Sequence, residues 1–294
     1  MNDTLESLRH KIDGATELGS VVRSMKALSA SSIHQYEQAL LSLESYYHTV
    51  QLGLYICLPQ SEAWGKPGTD KKGKTGAVVF GAGQGLVGQF DDLVVYAAKE
   101  FLNEIPGDKT VWAVGEAVAT RLEDAGLPPV SRFSVPYSVH SITRLMSRLL
   151  FEMEKAMASG EVSTIYLFYN RPRQGGIYTP VNLRFVPLDE VWLKRFSQMR
   201  WESGKIPEAV FGSDCTLPYL VQEYLFVTLF RTCAESLASE NAGRLAAMQR
   251  AEKNIKELLE DLNLAYHQLR QNPIDEELFD VVAGSEALNG KGTP

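Results

Sequence analysis

The stretch "MQRAEKNIKELLEDLNLAYHQL" (Met248–Leu269) carries the pattern that decides the fold. Apolar residues recur in it every seven positions, at Met248, Ile255, Leu262 and Leu269. Such a heptad pattern is typical of an α-helix that buries one narrow stripe against a second helix. The surrounding chain, Tyr219–Gln271, contains no proline, so we predict one helix of roughly 80 Å at 1.5 Å per residue. We expect Pro273 to kink or interrupt this helix before it resumes toward Gly284.

A pattern of the same kind begins near the N-terminus. From Leu5 to Leu54, an alternation of three and four residues predicts fifteen seam positions, and twelve of them are apolar. The exceptions are Gly19, Lys26 and Ser29. On the C-terminal helix, Glu252 breaks the corresponding pattern. Since the first proline is Pro59, the pattern predicts one continuous helix of roughly 75 Å.

The middle of the chain has a different texture. The polar, glycine-rich segment Lys66–Gly76 is typical of a linker. After it, the predicted strands are Ala77–Phe80, Thr110–Gly115, Ser163–Asn170 and Tyr178–Leu188. The predicted helices alternate with them and are Asp91–Ile105, Glu116–Gly126 and Ser141–Gly160. This alternation predicts a small, largely parallel, Rossmann-like α/β domain, whose last two strands flank a turn at Arg171–Gly176.

The two apolar stripes predict how the ends of the chain are arranged. Each stripe has to be buried, and the other stripe is its nearest partner. Because the inserted domain returns the chain, we predict an α/β fold in which the N- and C-terminal helices form a long antiparallel coiled coil. The numbers of facing residues should add up to about 273, which sets the small residues of Ser29–Ser32 against those of Asn241–Ala247 and allows a close approach.

These patterns divide the chain into six segments. The predicted divisions are an N-terminal coiled-coil helix (1–58), a linker (59–75), a Rossmann-like α/β foot domain (76–200), a connector (201–217), a C-terminal coiled-coil helix (218–288) and a tail (289–294).

Composition excludes several classes of protein. A net charge of −7 and a pI near 5.4 argue against nucleic-acid binding, which needs concentrated Lys and Arg. The widely spaced Cys57, Cys215 and Cys233 fit a reducing compartment, and neither a disulfide framework nor a metal site. The five histidines share no ligand spacing. No stretch is apolar over the roughly 18 residues that a membrane span needs, so we predict no direct membrane insertion.

A glycine motif follows the first predicted strand. Gly83, Gly85 and Gly88 spell G-x-G-x-x-G, a pattern that can bind phosphate at a helix N-terminus. That hypothesis needs an acidic residue about 20 positions on, at the end of the second strand, whereas Asp108 precedes that strand. We therefore predict a structural strand-to-helix turn without a cofactor. The alternative function is a nucleotide-dependent enzyme with a coiled-coil dimerisation arm.

Four stretches together carry a specific resemblance. They are "VVRSMKALSASSI" (Val21–Ile33), "GLVGQF" (Gly85–Phe90), "AESLASENAGRLAAMQRAEKNIKELLEDLNLAYHQLRQ" (Ala234–Gln271) and "IDEELFDVVAGSEAL" (Ile274–Leu288). In this order they resemble the N-terminal signature, the G-L-C-G turn, the C-terminal helix and the terminal I-T-x-E motif of the gamma subunit of F-type ATP synthases. The resemblance covers essentially the whole chain.

The resemblance implies a noncatalytic rotor. In that family the coiled coil stands inside a hexamer of alternating alpha and beta subunits. The α/β domain, with the epsilon subunit, lies on the membrane ring of c subunits. The implied role is to couple ion flow through the ring to conformational change at the catalytic sites of the beta subunits. The implied location is peripheral, on the cytoplasmic face of the bacterial inner membrane.

The resemblance also implies contacts with the alpha and beta subunits. The matching positions are Met25, Lys26, Glu240, Arg244, Arg270, Gln271 and Asp275. The residues themselves leave two simpler interpretations open. Lys26 could interrupt the seam and extend to water, and Glu240 could pair with Arg244 one turn away on a solvated face. No catalytic, cofactor-binding or metal-binding residue is implied.

The chain departs from the family pattern at several positions. Asp275 replaces a Thr, Ser285 an Ala, Pro273 a non-proline and Ser32 a Lys or Arg. Residues 1–54 carry four Lys and Arg against six Asp and Glu, where the family's shaft is generally more basic. These departures indicate a divergent member of the family, for which the alternative sodium-translocating bacterial branch is a candidate.

Overall fold

The computed structural model describes residues 4–58, 73–173, 177–188, 192, 208–210 and 212–289, with the backbone alone over 272–280 and 282–289. Within them the helices are α1 (Leu5–Cys57), α2 (Phe90–Glu104), α3 (Glu116–Asp124), α4 (Val139–Ala158) and α5 (Ser213–Asn289). The strands are β1 (Lys74–Phe80), β2 (Lys109–Val114), β3 (Pro129–Phe133), β4 (Val162–Pro172) and β5 (Tyr178–Val186). Two compact units result: a terminal unit, Met1–Leu28 with Leu245–Pro294, and a central unit, Ser29–Arg244.

In the terminal unit, the two helices run antiparallel. A Cβ atom placed on Gly19 would lie 3.4 Å from Cγ2 of Ile255, and the Lys26 ammonium group forms an ion pair with Glu252. Residue numbers therefore rise along α1 as they fall along α5. The numbers of Gly19 and Ile255 add up to within one of the predicted value of about 273. The buried residues of α1 in this unit recur every seven positions, at Leu8, Ala15 and Val22. The predicted seam and the antiparallel pairing are confirmed here.

The same two helices also pair in the central unit. A Cβ atom placed on Gly53 would lie 2.9 Å from Cδ2 of Leu220, and the Tyr46 hydroxyl donates to the Glu223 carboxylate at 2.8 Å. The numbers of Gly53 and Leu220 add up to the predicted value of 273, so this pair has the predicted register. The seven-residue repeat of buried positions on α1 continues here through Ser29, Tyr36, Val50 and Cys57.

The sheet of the central unit has the strand order β3-β2-β1-β4-β5. The pairs β1–β2, β1–β4 and β2–β3 are parallel, and β4–β5 is an antiparallel hairpin. The largely parallel sheet and the final hairpin were predicted from the sequence. Strand β3 was not, because its sequence "PVSRF" is short, begins with proline and has only Phe133 fully buried.

Alternate side chains of the central strands enter two different cores, as the two-residue period of a strand requires. Ala77 and Val79 of β1 pack with helices α2 and α3 on one face. Val78 and Phe80 pack with α4 on the other face, where Tyr36 of α1 and Leu237 of α5 join the same core. Because both faces are covered, six of the seven residues of β1 are buried.

Helix α5 is longer than the sequence predicted. It begins at Ser213, before Pro218, and continues without a break through Pro273 to Asn289. A proline in a helix interior costs about 3 kcal/mol, and at the first site the neighbouring Leu217 packs into a cluster with Leu54 of α1. Burial of this kind, rather than local propensity, supplies most helix stability in proteins.

Strand β1 begins at Lys74, so it includes the end of the segment that we interpreted as a linker. Gly76 in this strand lies against the core, since a Cβ there would come 2.8 Å from Cζ3 of Trp112. The rest of the predicted linker, most of the predicted connector and the tip of the predicted turn at Arg171–Gly176 lie outside the described residues.

Candidate functional site

The glycine-rich turn, Gly81–Phe90, joins the carboxyl end of β1 to α2 in the central unit. Two of its backbone N–H groups donate to carboxylates of the chain itself. The N–H of Ala82 donates to Asp91 Oδ1 at 2.7 Å, and the N–H of Gly83 donates to Glu240 Oε1 at 3.2 Å. Both acidic side chains are buried.

These contacts oppose the use of the turn as a phosphate cradle. A phosphate at such a turn is bound by free backbone N–H groups, and here two of these groups already hold negatively charged oxygens. A bound phosphate next to the carboxylates of Asp91 and Glu240 would also be repelled by them. The geometry therefore supports the prediction of a structural turn and weakens the enzyme alternative.

Two glycines of the turn, Gly81 and Gly88, are required for different reasons, and a third is not. A Cβ atom on Gly81 would lie 2.3 Å from Cβ of Val118, and Gly88 has a φ of +70°. By contrast, a Cβ atom on Gly85, the middle glycine of the motif, would meet nothing within 4 Å. In dinucleotide-binding turns that glycine allows the backbone to approach the pyrophosphate, but here no packing demands it.

Glu240 and Arg244 form a buried ion pair on α5. They are 4% and 7% exposed, and Arg244 Nη2 donates to Glu240 Oε1 at 2.6 Å. The same Nη2 donates to the carbonyl oxygen of Gln84 at 3.0 Å, and Nη1 donates to Asn241 Oδ1 at 3.2 Å. The predicted pairing one helical turn apart is therefore present, but the interpretation of a solvated face is wrong: the pair faces the glycine-rich turn.

Gly243 shows how closely α5 approaches this turn. A Cβ atom on it would lie 2.9 Å from Cε1 of Tyr178 and 3.2 Å from the carbonyl oxygen of Val87. The Tyr178 hydroxyl donates to that same carbonyl at 3.3 Å. Only a residue without a side chain lets the helix, the turn and strand β5 meet at this distance.

Burial changes the ionisation of groups around the turn. It raises the pKa of the Asp91 carboxyl above its ordinary value, against the effects of the Ala82 N–H and of Arg121. Burial, with the nearby Glu240 carboxylate, also raises the pKa of the Tyr36 hydroxyl to about 12. Because Tyr36 belongs to α1, the first helix lies close to the same buried ion pair.

The other predicted contact residues lie in the terminal unit. Met25 is half-buried, and Arg270 and Gln271 are exposed. Lys26 is paired with Glu252, and both side chains are 35% exposed, so the two charged residues that break the predicted seams are partners. The side chain of Asp275 lies outside the described residues.

Sequence reasoning missed a second charged cluster in the central unit. The buried Glu235 accepts from Arg171 Nε at 2.9 Å and from Arg231 Nε at 2.8 Å. The spacing of Arg231 and Glu235 is a helical i, i+4 signal that could have revealed half of it. The partner on β4 is 64 positions away in the sequence, and no local pattern indicates such a contact.

The described part of the chain contains neither a membrane-spanning helix nor a metal site. In it no helix is both long and apolar enough to cross a bilayer. No group of three or more His, Cys, Asp or Glu side chains is arranged there to hold a metal ion.

Paired terminal helices, with one α/β domain inserted between them in the chain and packed on the C-terminal helix, define the fold class of this protein. A family model described as ATP synthase matches residues 4–288. The chain therefore belongs to the ATP synthase family.

Individual relatives and solved structures agree over nearly the whole length. The chain is 25% identical over 293 residues to the ATP synthase gamma chain of Pasteurella multocida, covering 96% of this chain and 99% of that one. It is 24% identical over 302 residues to the gamma chain of Christiangramia forsetii, covering 97% and 99%. The rotor of the Euglena gracilis mitochondrial ATP synthase matches with a TM-score of 0.61 at 14% identity, over 92% of this chain and 98% of that one. A central stalk and c-ring structure from Tetrahymena thermophila matches with a TM-score of 0.57 at 18% identity, over 79% and 99%. At these identities the two structures establish the fold.

Proposed function

We propose that this chain is the gamma subunit, or central-stalk rotor, of an F-type ATP synthase. The observation that carries the proposal is the antiparallel pairing of the two ends of the chain, seen between Gly19 and Ile255 in the terminal unit and between Gly53 and Leu220 in the central unit. The gamma chains named above align with the chain over nearly its whole length, so the alignments include the segments of both terminal helices and of the inserted domain.

The rotor acts because its contacts with the beta subunits are thermodynamically linked to the affinity of their catalytic sites for nucleotide. A shaft whose faces differ contacts each beta subunit differently at a given angle, and it stabilises the conformation that each face fits best. Rotation then changes the affinity of each catalytic site for its nucleotide in turn. Ion flow through the c ring drives the rotation in the direction of ATP synthesis, and hydrolysis drives it in the opposite direction.

In this proposal the chain contributes no residue to bond making. The support comes from the G-x-G-x-x-G motif, which resembles a nucleotide-binding turn. There the N–H groups of Ala82 and Gly83 are bound to the chain's own carboxylates. We further propose a peripheral location on the cytoplasmic face of a bacterial inner membrane, in agreement with the bacterial gamma chains to which the chain is similar. The α/β domain faces the epsilon subunit and the c ring.

We place contacts with the alpha and beta subunits at Met25, Lys26, Arg270, Gln271 and Asp275 of the terminal unit. Glu240 and Arg244 match family contact positions too. Glu240 Oε1 and both terminal nitrogens of Arg244 are already bound inside the central unit, so a contact with another subunit would use their remaining polar atoms. If Lys26 contacts another subunit, its ammonium group would bind that subunit and Glu252 at the same time.

The proposal is tested by expressing the chain together with the alpha, beta and epsilon subunits and the membrane sector of its own operon. We expect one assembled complex that contains the chain in a fixed ratio below that of alpha and beta, and ATP-driven ion uptake into vesicles that requires the chain. A chain that purifies alone as a stable dimer, and binds NAD or ATP stoichiometrically in a way that Gly85→Trp abolishes, would instead establish the enzyme alternative.

A further inference from the structure

The contact between the glycine-rich turn and helix α5 has a further role, which rests on the proposed rotor function. We propose that Glu240 and Arg244 form a torque link, which transmits force between the α/β sheet and the C-terminal helix through the backbone of Gly83 and Gln84. Gly83, Gln84, Glu240 and Arg244 together form the turn link. All of them belong to the central unit.

The turn link holds the backbone at two adjacent points and with opposite polarity. The N–H of Gly83 donates to Glu240 Oε1 at 3.2 Å, and the carbonyl of Gln84 accepts from Arg244 Nη2 at 3.0 Å. A single bond would fix a distance but would allow the turn to pivot about it. Two bonds from side chains one helical turn apart also fix the orientation of the turn relative to the axis of α5.

The helix side of the turn link is rigid. Glu240 and Arg244 bind each other, and Arg244 Nη1 donates to Asn241, whose own side-chain amide donates to the carbonyl of Leu237 at 2.8 Å. The segment Thr232–Asn241 is buried on every side of the helix. Hydrogen bonds with a charged partner are about twice as strong as neutral ones, and these side chains have little room to change rotamer.

The sheet side is also fixed. Ala82, the residue before Gly83, is bound through its N–H to Asp91. At the other end of the turn, the side-chain amide of Asn170 donates to the carbonyl of Phe90 at 2.9 Å. Asn170 lies on β4, and the turn itself follows β1, so a force on Gly83 and Gln84 passes directly into the two central strands.

A torque link needs directional bonds, and this explains why polar groups occur in the contact between α5 and the sheet beside its apolar core. Apolar packing opposes separation of two surfaces but is not directional, whereas a hydrogen bond weakens steeply when its angle changes. The apolar core between α5 and the sheet, which includes Leu237 and Ala238, holds the two together. The turn link resists sliding and rotation at the glycine-rich turn, and the ion pair between Glu235 of α5 and Arg171 of β4 adds a second directional contact with the sheet.

A role in stability alone makes a different prediction. A buried ion pair is weak evidence for stability, and replacing both partners with apolar residues of similar size is often neutral or stabilising. The double variant Glu240→Leu with Arg244→Met should therefore fold and assemble in either case. If the pair only supported folding, this variant would transmit torque normally.

The test uses the complete ATP synthase in inside-out membrane vesicles, where ATP hydrolysis and ATP-driven ion uptake are both measured. For the double variant we expect a fall of about five-fold or more in ions moved per ATP hydrolysed, because both hydrogen bonds of the turn link are lost while the core is kept. Glu240→Gln keeps an oxygen that can accept from Gly83 and Arg244, and it should retain most of the ratio. The matched control is Glu123→Gln, which removes an exposed carboxylate paired with Arg132 on the same α/β domain and should leave the ratio unchanged.

A second measurement does not depend on rotation. Amide hydrogen exchange of the peptide covering residues 81–90 should be faster by about ten-fold or more in the double variant, because the Gly83 N–H loses its acceptor. An unchanged ion-to-ATP ratio, or unchanged exchange of this peptide, in an assembled double-variant complex would overturn the proposal. Failure of the rotor function is a separate result: the wild-type complex would then lack the chain or would show no ATP-driven ion uptake.

Discussion

Gly243 gives the sharpest prediction about the packing of α5. Alanine is favoured over glycine in a helix interior by about 1 kcal/mol, so an isolated helix would gain stability from Gly243→Ala. In the folded chain, however, the new methyl group would lie 2.9 Å from Cε1 of Tyr178 and 3.2 Å from the carbonyl oxygen of Val87. Inserting a group into a packed site costs about 1–3 kcal/mol.

The two effects oppose each other, and the structure decides which is larger. Tyr178 cannot turn away freely, because its ring packs edge-on against Phe90 at 5.1 Å and its hydroxyl donates to Val87. The contact with the Val87 carbonyl is with backbone, which yields less easily than a side chain. We therefore expect a cost in the upper part of this range, about 2–3 kcal/mol, which leaves a net loss of about 1–2 kcal/mol in the free energy of unfolding.

The assay is urea unfolding of the purified chain, followed by far-UV circular dichroism. Gly14 is the matched control, since it is also a helical glycine but a Cβ atom on it would meet nothing within 4 Å. Gly14→Ala should stabilise its helix by about 0.5–1 kcal/mol. The reasoning is refuted if Gly243→Ala is as stable as the wild type or more so.

Three further predictions concern buried groups. Ser29 is 2% exposed, so Ser29→Trp should force the helices apart; we expect ATP hydrolysis to continue while ATP-driven ion uptake is lost, and retained uptake would contradict the predicted close approach. Burial raises the pKa of the Cys233 thiol, whereas Cys215 is exposed; at pH 8, iodoacetamide should label Cys215 in the folded chain and Cys233 only after unfolding, as peptide mass spectrometry can show. Burial raises the pKa of Asp91 above 3.8, so the folded state holds this proton more tightly and the contribution of Asp91 to stability falls as the pH rises from 3.8 through the folded pKa. Asp91→Asn should remove this part of the pH dependence in urea titrations, and an unchanged pH profile would show that the carboxyl titrates normally.

The sequence predicted the helices well because their signal is local and repeated. The spacing of Leu8, Ala15 and Val22 is visible without any knowledge of the partner helix. The inner strands β1, β2 and β4 were recognisable for the same reason, since a strand buried on both faces contains a run of apolar residues. The edge strand β5 has only two buried residues, but its Val181, Leu183 and Phe185 alternate with polar residues, which is also a local signal. Strand β3 lacks that signal: it lies at the edge of the sheet, and only one of its five residues is buried.

The candidate site was predicted less well because its contacts are distant in the chain. The sequence shows that Glu240 and Arg244 can pair, but their other partners, Gly83 and Gln84, lie 157 and 160 positions away. The family resemblance assigned both residues to contacts with other subunits, and that assignment stays a prediction. What the structure adds is a contact of both residues inside the chain itself.

By itself, therefore, the sequence determined that this protein has two long helices with a seven-residue repeat and an α/β domain between them. Periodicity and turn residues act over a few neighbouring positions, and they are complete in the sequence. Only the tertiary structure decided that Lys26 pairs with Glu252, that the glycine-rich turn binds carboxylates, and that α5 is buried on all sides between Thr232 and Asn241. The physical reason is that burial, hydrogen bonding and charge pairing depend on which surfaces meet, and the meeting of distant surfaces is a property of the folded chain.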